Sequence, residues 1–154
     1  MVPLRDDNPT TITPYVTYGL IAANILVFLF ELTVSQTPGQ LERFFYTWAV
    51  VPKQLTASFA GQAISGPPEW LTLFSSQFLH GGFLHVAGNM LFLWIFGNNV
   101  EDRLGHVKYL IFYLACGALA ALTQWFFSPN SAIPSLGASG AIAGVMGAYI
   151  RHPA

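Results

Sequence analysis

Residues 134–150 read PSLGASGAIAGVMGAYI. A lone hydroxyl, Ser139, stands between Gly137 and Gly140 at the head of an apolar run that Arg151 and His152 close. As a helix, residues 139–150 cover about 18 Å of the roughly 30 Å hydrocarbon core of a bilayer. If Arg151 marks the inner boundary, Ser139 lies roughly 10 Å below the outer one. The preceding loop, SPNSAIPSLGAS, then dips into the membrane, where backbone must be enclosed by protein or by a water-filled cavity. Gly140 and Gly144 are four residues apart, and Ala143 with Gly147 repeats the small-residue spacing on an adjoining face. Such faces let helix backbones approach closely. Two readings of Ser139 stay open on this spacing: a serine that caps a packing helix, or a hydroxyl placed for chemistry.

The composition demands a membrane. The chain has 154 residues, 53% of them hydrophobic and 8% charged, whereas a soluble domain carries about 25% charged residues. A net charge of −1 without a basic cluster offers nucleic acid no electrostatic footprint. The single cysteine, Cys116, excludes an internal disulfide and a cysteine-based metal cage.

Four apolar runs, at about 15–34, 83–97, 107–127 and 139–150, read as spans of an all-α, polytopic membrane protein. The 1–14 tail is polar and lacks the basic start and small-residue cleavage site of a signal peptide. QLERFFYTWAVVPKQL, residues 40–55, fits short amphipathic helices at the lipid–water boundary. EDRLGHVK, residues 101–108, reads as a tight polar turn. A cytoplasmic N-terminus places Arg5, Arg103, Lys108 and Arg151 inside and Arg43 and Lys53 outside, the sign of the positive-inside rule. The expectation is a multi-pass protein of a cell membrane, with residues 15–154 forming one membrane domain.

On this topology the second and fourth spans both start at the outer side. HGGFLHVAGNMLFLW, residues 80–94, sets His85 and Asn89 four apart on one helical face, at the depth assigned to Ser139. Intramembrane polar groups face a bundle interior or a wet cavity and point to function. Two such donors, with the backbone N–H of Ser139 at a helix N-terminus, suit a developing oxyanion. A purely structural reading, with His85 and Asn89 tying helices together, stays open. A metal site on His80, His85 and Asn89 is disfavoured: the histidines are five apart, and no acidic or cysteine ligand is near.

HGGFLHVAGNMLFLWIFGNNVEDRLG and GASGAIAGVMGAY together resemble the rhomboid intramembrane serine proteases, over roughly residues 15–150. The resemblance implies a rhomboid-like bundle with a re-entrant loop before the serine helix. It implies Ser139 of G-x-S-G as nucleophile, and His85 and Asn89 of H-x-x-x-N in the oxyanion hole. Gly137 and Gly140 flank the nucleophile, His80 matches a further histidine near the site, and Glu101 and Arg103 match a structural turn. The first loop resembles the family's membrane-surface hairpin, although Trp48 is followed by Ala49 where some members carry a Trp-Arg pair. The implied activity is cleavage of transmembrane protein substrates near the membrane surface by a Ser–His dyad, without cofactor or metal.

The family's general-base histidine comes from a span after the serine helix. His152 is thirteen residues beyond Ser139, about 20 Å along the same axis, out of the roughly 3 Å reach of a base. The chain therefore reads as the first four of six spans, with the base supplied from elsewhere. Ser75, Ser76, Gln77 and His80 are expected to line a water-accessible cavity. The alternative is a non-catalytic relative that holds transmembrane segments in the same cavity. A channel or transporter is disfavoured by the lack of inverted repeats and of a charged pathway.

Overall fold

A computed structural model describes residues 9–151; the expectations for the rest of the N-terminal tail and for His152 lie outside the described residues. The chain is all-helical there: α1 (Tyr15–Val34), α2 (Gln40–Trp48), α3 (Pro52–Phe59), α4 (Glu69–Ser75), a 3-10 turn (Ser76–Phe78), α5 (Phe83–Leu104), α6 (His106–Phe127) and α7 (Ser139–Arg151). Helices α1 and α6 are long and apolar enough to cross a membrane, and α4 with its 3-10 turn joins α5 at an 83° bend to make a third, broken candidate. Helix α7, with 13 residues, falls short of a bilayer. Leu26, Leu29, Phe30, Ile111, Leu119 and Phe126 project outward from α1 and α6, as a lipid-facing surface requires.

The polar end of α5 behaves differently from its sequence. Helix α5 continues past Gly97 to Leu104, and the turn expected over 101–108 shrinks to Gly105, at φ 81°. The cause is that Asn99 and Glu101 point inward and are buried. Glu101 is fully enclosed; its carboxylate accepts the N–H groups of Val16 (2.9 Å) and Thr17 (2.7 Å) and the Thr17 hydroxyl (2.8 Å). His106 Nδ1 closes the set at 2.5 Å. Next to it Asp102 accepts the N–H groups of Thr11 (2.8 Å) and Ile12 (2.9 Å). Pro14 supplies no side-chain cap to α1, so α5 satisfies that helix start, whose first N–H groups have no intrahelical partner. Arg103, also in the last turn of α5, is exposed.

Small residues bring the spans together. A Cβ on Gly97 would fall 2.7 Å from the Tyr109 hydroxyl and 3.0 Å from Thr17, so α1, α5 and α6 meet there. Along α7, a Cβ on Gly140 would meet Ala120 at 2.5 Å and one on Gly144 would meet Cys116 Sγ at 2.6 Å. The G-x-x-x-G face thus packs on α6. The adjoining face does not pack: Ala143 is exposed, and nothing among the described residues lies within 4 Å of a Cβ at Gly147. The main core gathers Leu20, Met90, Leu93, Tyr109, Tyr113 and Val145. A second cluster, Val50, Leu55 and Leu73, packs on Leu122 and Trp125 of α6. Asn24, the polar residue midway along α1, is buried, donates to the Leu20 carbonyl at 2.7 Å and faces Tyr113.

Candidate active site

The loop that delivers Ser139 is held on three sides. Val50 and Ser135 exchange backbone hydrogen bonds of 3.1 and 2.7 Å as an isolated antiparallel bridge. Lys53 N–H donates to the Ser131 carbonyl at 2.9 Å, and the Thr56 hydroxyl to the Pro129 carbonyl at 2.7 Å. Trp125 Nε1 donates to that same hydroxyl at 2.9 Å. On the inner side, Gly137 N–H donates to the Ser76 carbonyl at 2.8 Å. These bonds satisfy backbone that lies between helices, where water cannot.

Gly137 has φ +116°, a conformation that side chains other than hydrogen rarely take. Its bare Cα lets the His85 imidazole approach: a Cβ there would lie 2.7 Å from Cε1 and 2.9 Å from Nε2 of His85. The same point is 3.7 Å from Ser139 Oγ. One glycine therefore separates the imidazole from the hydroxyl. Ser139 is the first residue of α7 and is exposed, and Ile142 N–H bonds the carbonyl of the buried Ala138 at 3.0 Å. Ala138, not Ser139, thus accepts a bond at the start of α7, and among the described residues no hydrogen bond engages the Ser139 hydroxyl.

One turn after His85, Asn89 keeps its amide nitrogen buried without a hydrogen-bond acceptor. An unpaired buried donor is costly, and this one is free to give a hydrogen bond. His80 is buried, its ring centroid 5.0 Å from that of His85 at 72°. Neither His80 ring nitrogen reaches a well-formed partner; the Phe78 carbonyl is close enough for a weak interaction. The His80 backbone is fixed instead: its N–H donates to Glu31 Oε1 at 3.0 Å.

A cavity of about 170 Å³ opens beside Ser139, lined by Ser76, Gln77, Gln124, Ser135, Gly137 and Gly140 among others. Of the four residues expected to line it, Ser76 and Gln77 do. Ser75 instead donates to the Trp48 carbonyl at 2.6 Å, and His80 packs on His85. Gln77 is buried over Gly117, with Nε2 donating to the Leu73 and Leu114 carbonyls at 2.9 and 3.1 Å. Its Oε1 has no donor.

Sequence reasoning missed three contributors. Glu31 closed an apolar run and carried no motif, yet it anchors His80. Gln124 bonds the Ser135 hydroxyl at 2.7 Å, and Ser135 bridges to Val50. The available signals were Glu31, the one charge in the 15–34 run, and Gln124, a polar residue near the end of an apolar span.

The rhomboid domain model matches residues 67–153, which contain His80, His85, Asn89, Glu101, Arg103, Gly137, Ser139 and Gly140. Among curated proteins, the chain is 35% identical to the rhomboid protease GluP of Bacillus subtilis over 139 residues, 89% of this chain and 24% of that protein. It is 37% identical to rhomboid-like protein 11, chloroplastic, of Arabidopsis thaliana over 78 residues, 51% of this chain and 28% of that protein. Against the human presenilin-associated rhomboid-like protein, mitochondrial, identity is 30% over 132 residues, 84% and 31% of the two chains. The chain thus spans about a quarter to a third of the length of these relatives. With a helical membrane bundle and a matched segment covering more than half of its residues, the chain belongs to the rhomboid domain family.

Proposed function

We propose that the chain carries the nucleophile and oxyanion hole of an intramembrane serine endopeptidase whose substrates are transmembrane proteins. The observation that carries this reading is that the His85 imidazole and the Ser139 hydroxyl both lie within 4 Å of the point a Cβ on Gly137 would occupy. Ser139 Oγ attacks the scissile carbonyl, and its proton passes to a histidine that the described residues do not supply. The resulting oxyanion accepts hydrogen bonds from His85, from the Asn89 amide and from the Ser139 backbone N–H. Collapse releases the amine, which takes the proton, and leaves an acyl ester on Ser139; water then attacks the ester and regenerates the hydroxyl. The cavity lined by Ser139, Gln77 and Gln124 offers room for that water.

In the protein as its gene encodes it, a fluorophosphonate probe labels Ser139, and Ser139→Ala abolishes both labelling and cleavage. Asn89→Ala lowers kcat by about 10²–10³, the usual effect of losing one oxyanion donor. Labelling that persists in the Ser139→Ala protein would overturn the reading. Absence of labelling in a wild-type protein that still captures transmembrane segments would assign it to the non-catalytic, segment-binding alternative.

A further inference from the structure

A cavity of about 330 Å³ lies between α2, α3, the 62–66 segment and the start of α4, lined by Arg43, Tyr46, Thr47, Gln54, Ser65 and Glu69 among others. Glu69 is 5% exposed, and its Oε2 meets no hydrogen-bond donor among the described residues. An ionised carboxylate buried without a partner is strongly unfavourable. Arg43 faces the same cavity, yet among the described residues the ion pair is Glu101–His106 and none joins Arg43 to Glu69. Thr47 is already committed, its hydroxyl donating to the Arg43 carbonyl at 2.8 Å. One cavity thus presents a guanidinium and a buried carboxyl group that do not pair with each other. A ligand that satisfies both carries a negative group and a hydrogen-bonding positive group a few bonds apart.

The surroundings indicate where such a ligand comes from. Helices α2 and α3 are short and amphipathic, and Phe59 and Trp70 stand 60% and 59% exposed nearby. This is the pattern of the membrane–water boundary. Tyr46 lines the polar cavity and also a neighbouring groove of about 350 Å³ formed with Leu41, Glu42, Phe45 and Pro134. Tyr46 thus stands between a polar pocket and a groove whose lining is apolar but for Glu42.

We infer that this cavity binds the headgroup of an aminophospholipid of the phosphatidylethanolamine type. Arg43 takes the phosphate, Glu69 takes the primary ammonium, and an acyl chain follows the groove beside Tyr46. A choline headgroup has no N–H to give Glu69. A glycerol headgroup offers Glu69 neutral hydroxyl donors but no cation, so it lacks the charge-assisted hydrogen bond. The inference rests on residues outside the Ser139 site and stands independently of the peptidase reading.

Thermal unfolding of the full chain in neutral detergent, titrated with short-chain lipids, tests it. Short-chain phosphatidylethanolamine raises Tm saturably, with an affinity about tenfold or more above the choline and glycerol lipids, since a hydrogen bond to a buried charge is worth about 1.5–3 kcal/mol. Glu69→Gln removes that preference, and Arg43→Gln weakens the response to all three lipids. Free phosphoethanolamine gives a smaller shift, because the groove stays empty. Equal responses to the three lipids in the unaltered chain overturn the inference without any variant. So does an ethanolamine preference that survives Glu69→Gln, and a shift from free phosphoethanolamine as large as that from the lipid.

Discussion

At the scale of the residue, Gly137 decides whether the site exists. Its φ of +116° and its missing side chain serve the same end, since a Cβ would enter the imidazole of His85. Gly137→Ala must either flatten the turn or push His85 aside, and the backbone strain alone is worth about 1–2 kcal/mol. A displacement of about 1 Å in a catalytic constellation can cost about 10²-fold in rate. Gly137→Ala is therefore expected to slow fluorophosphonate labelling of Ser139 by about that factor while the protein still inserts into membranes. Gly147→Ala, in open space, serves as the control and labels at the unaltered rate. Equal labelling of the two variants would remove Gly137 from the site. The sequence displayed this residue through G-x-S-G, where a glycine two positions before the serine permits a tight turn. The partner it makes room for, His85, lies 52 positions upstream, and no local pattern measures that distance.

At the scale of the element, the end of α5 serves as the cap of α1. Glu101 collects two backbone N–H groups, one hydroxyl and the His106 ring. Glu101→Gln keeps the shape but turns one acceptor oxygen into a donor facing other donors. It is expected to destabilise the bundle by about 1–3 kcal/mol, read as an earlier transition on titration with a denaturing detergent. Asp102→Asn, at the exposed margin of the same cap, gives a smaller change. An unshifted transition for Glu101→Gln would show that α1 docks without this cap. Hydropathy located α1 and α6 because their apolar runs are continuous and need no knowledge of neighbours. It misjudged the end of α5 because Asn98, Asn99 and Glu101 look like a surface turn when their partners on α1 are unknown. The serine helix was legible through its small residues, although only Gly140 and Gly144 of the two proposed faces meet another helix.

At the scale of the whole molecule, function depends on which end of the bundle holds the Ser139 cavity. Lys53 reaches the 128–138 loop through its N–H bond to Ser131, and that loop follows the end of α6. Lys108 sits in the first turn of α6. The 22 residues of α6 rise about 33 Å, enough to put the two lysines on opposite sides of a bilayer. Helix α1 enters beside His106 and ends near α2, so the same two ends recur independently. In a Cys116→Ala background, Lys53→Cys and Lys108→Cys are expected to react with a membrane-impermeant maleimide from opposite faces of sealed vesicles. Ser139→Cys should follow Lys53→Cys, at a slower rate set by entry through the cavity beside Gln124. If both lysine positions react from one face, α6 does not cross the membrane. The short α7 would then need no re-entrant loop to place its serine below the surface.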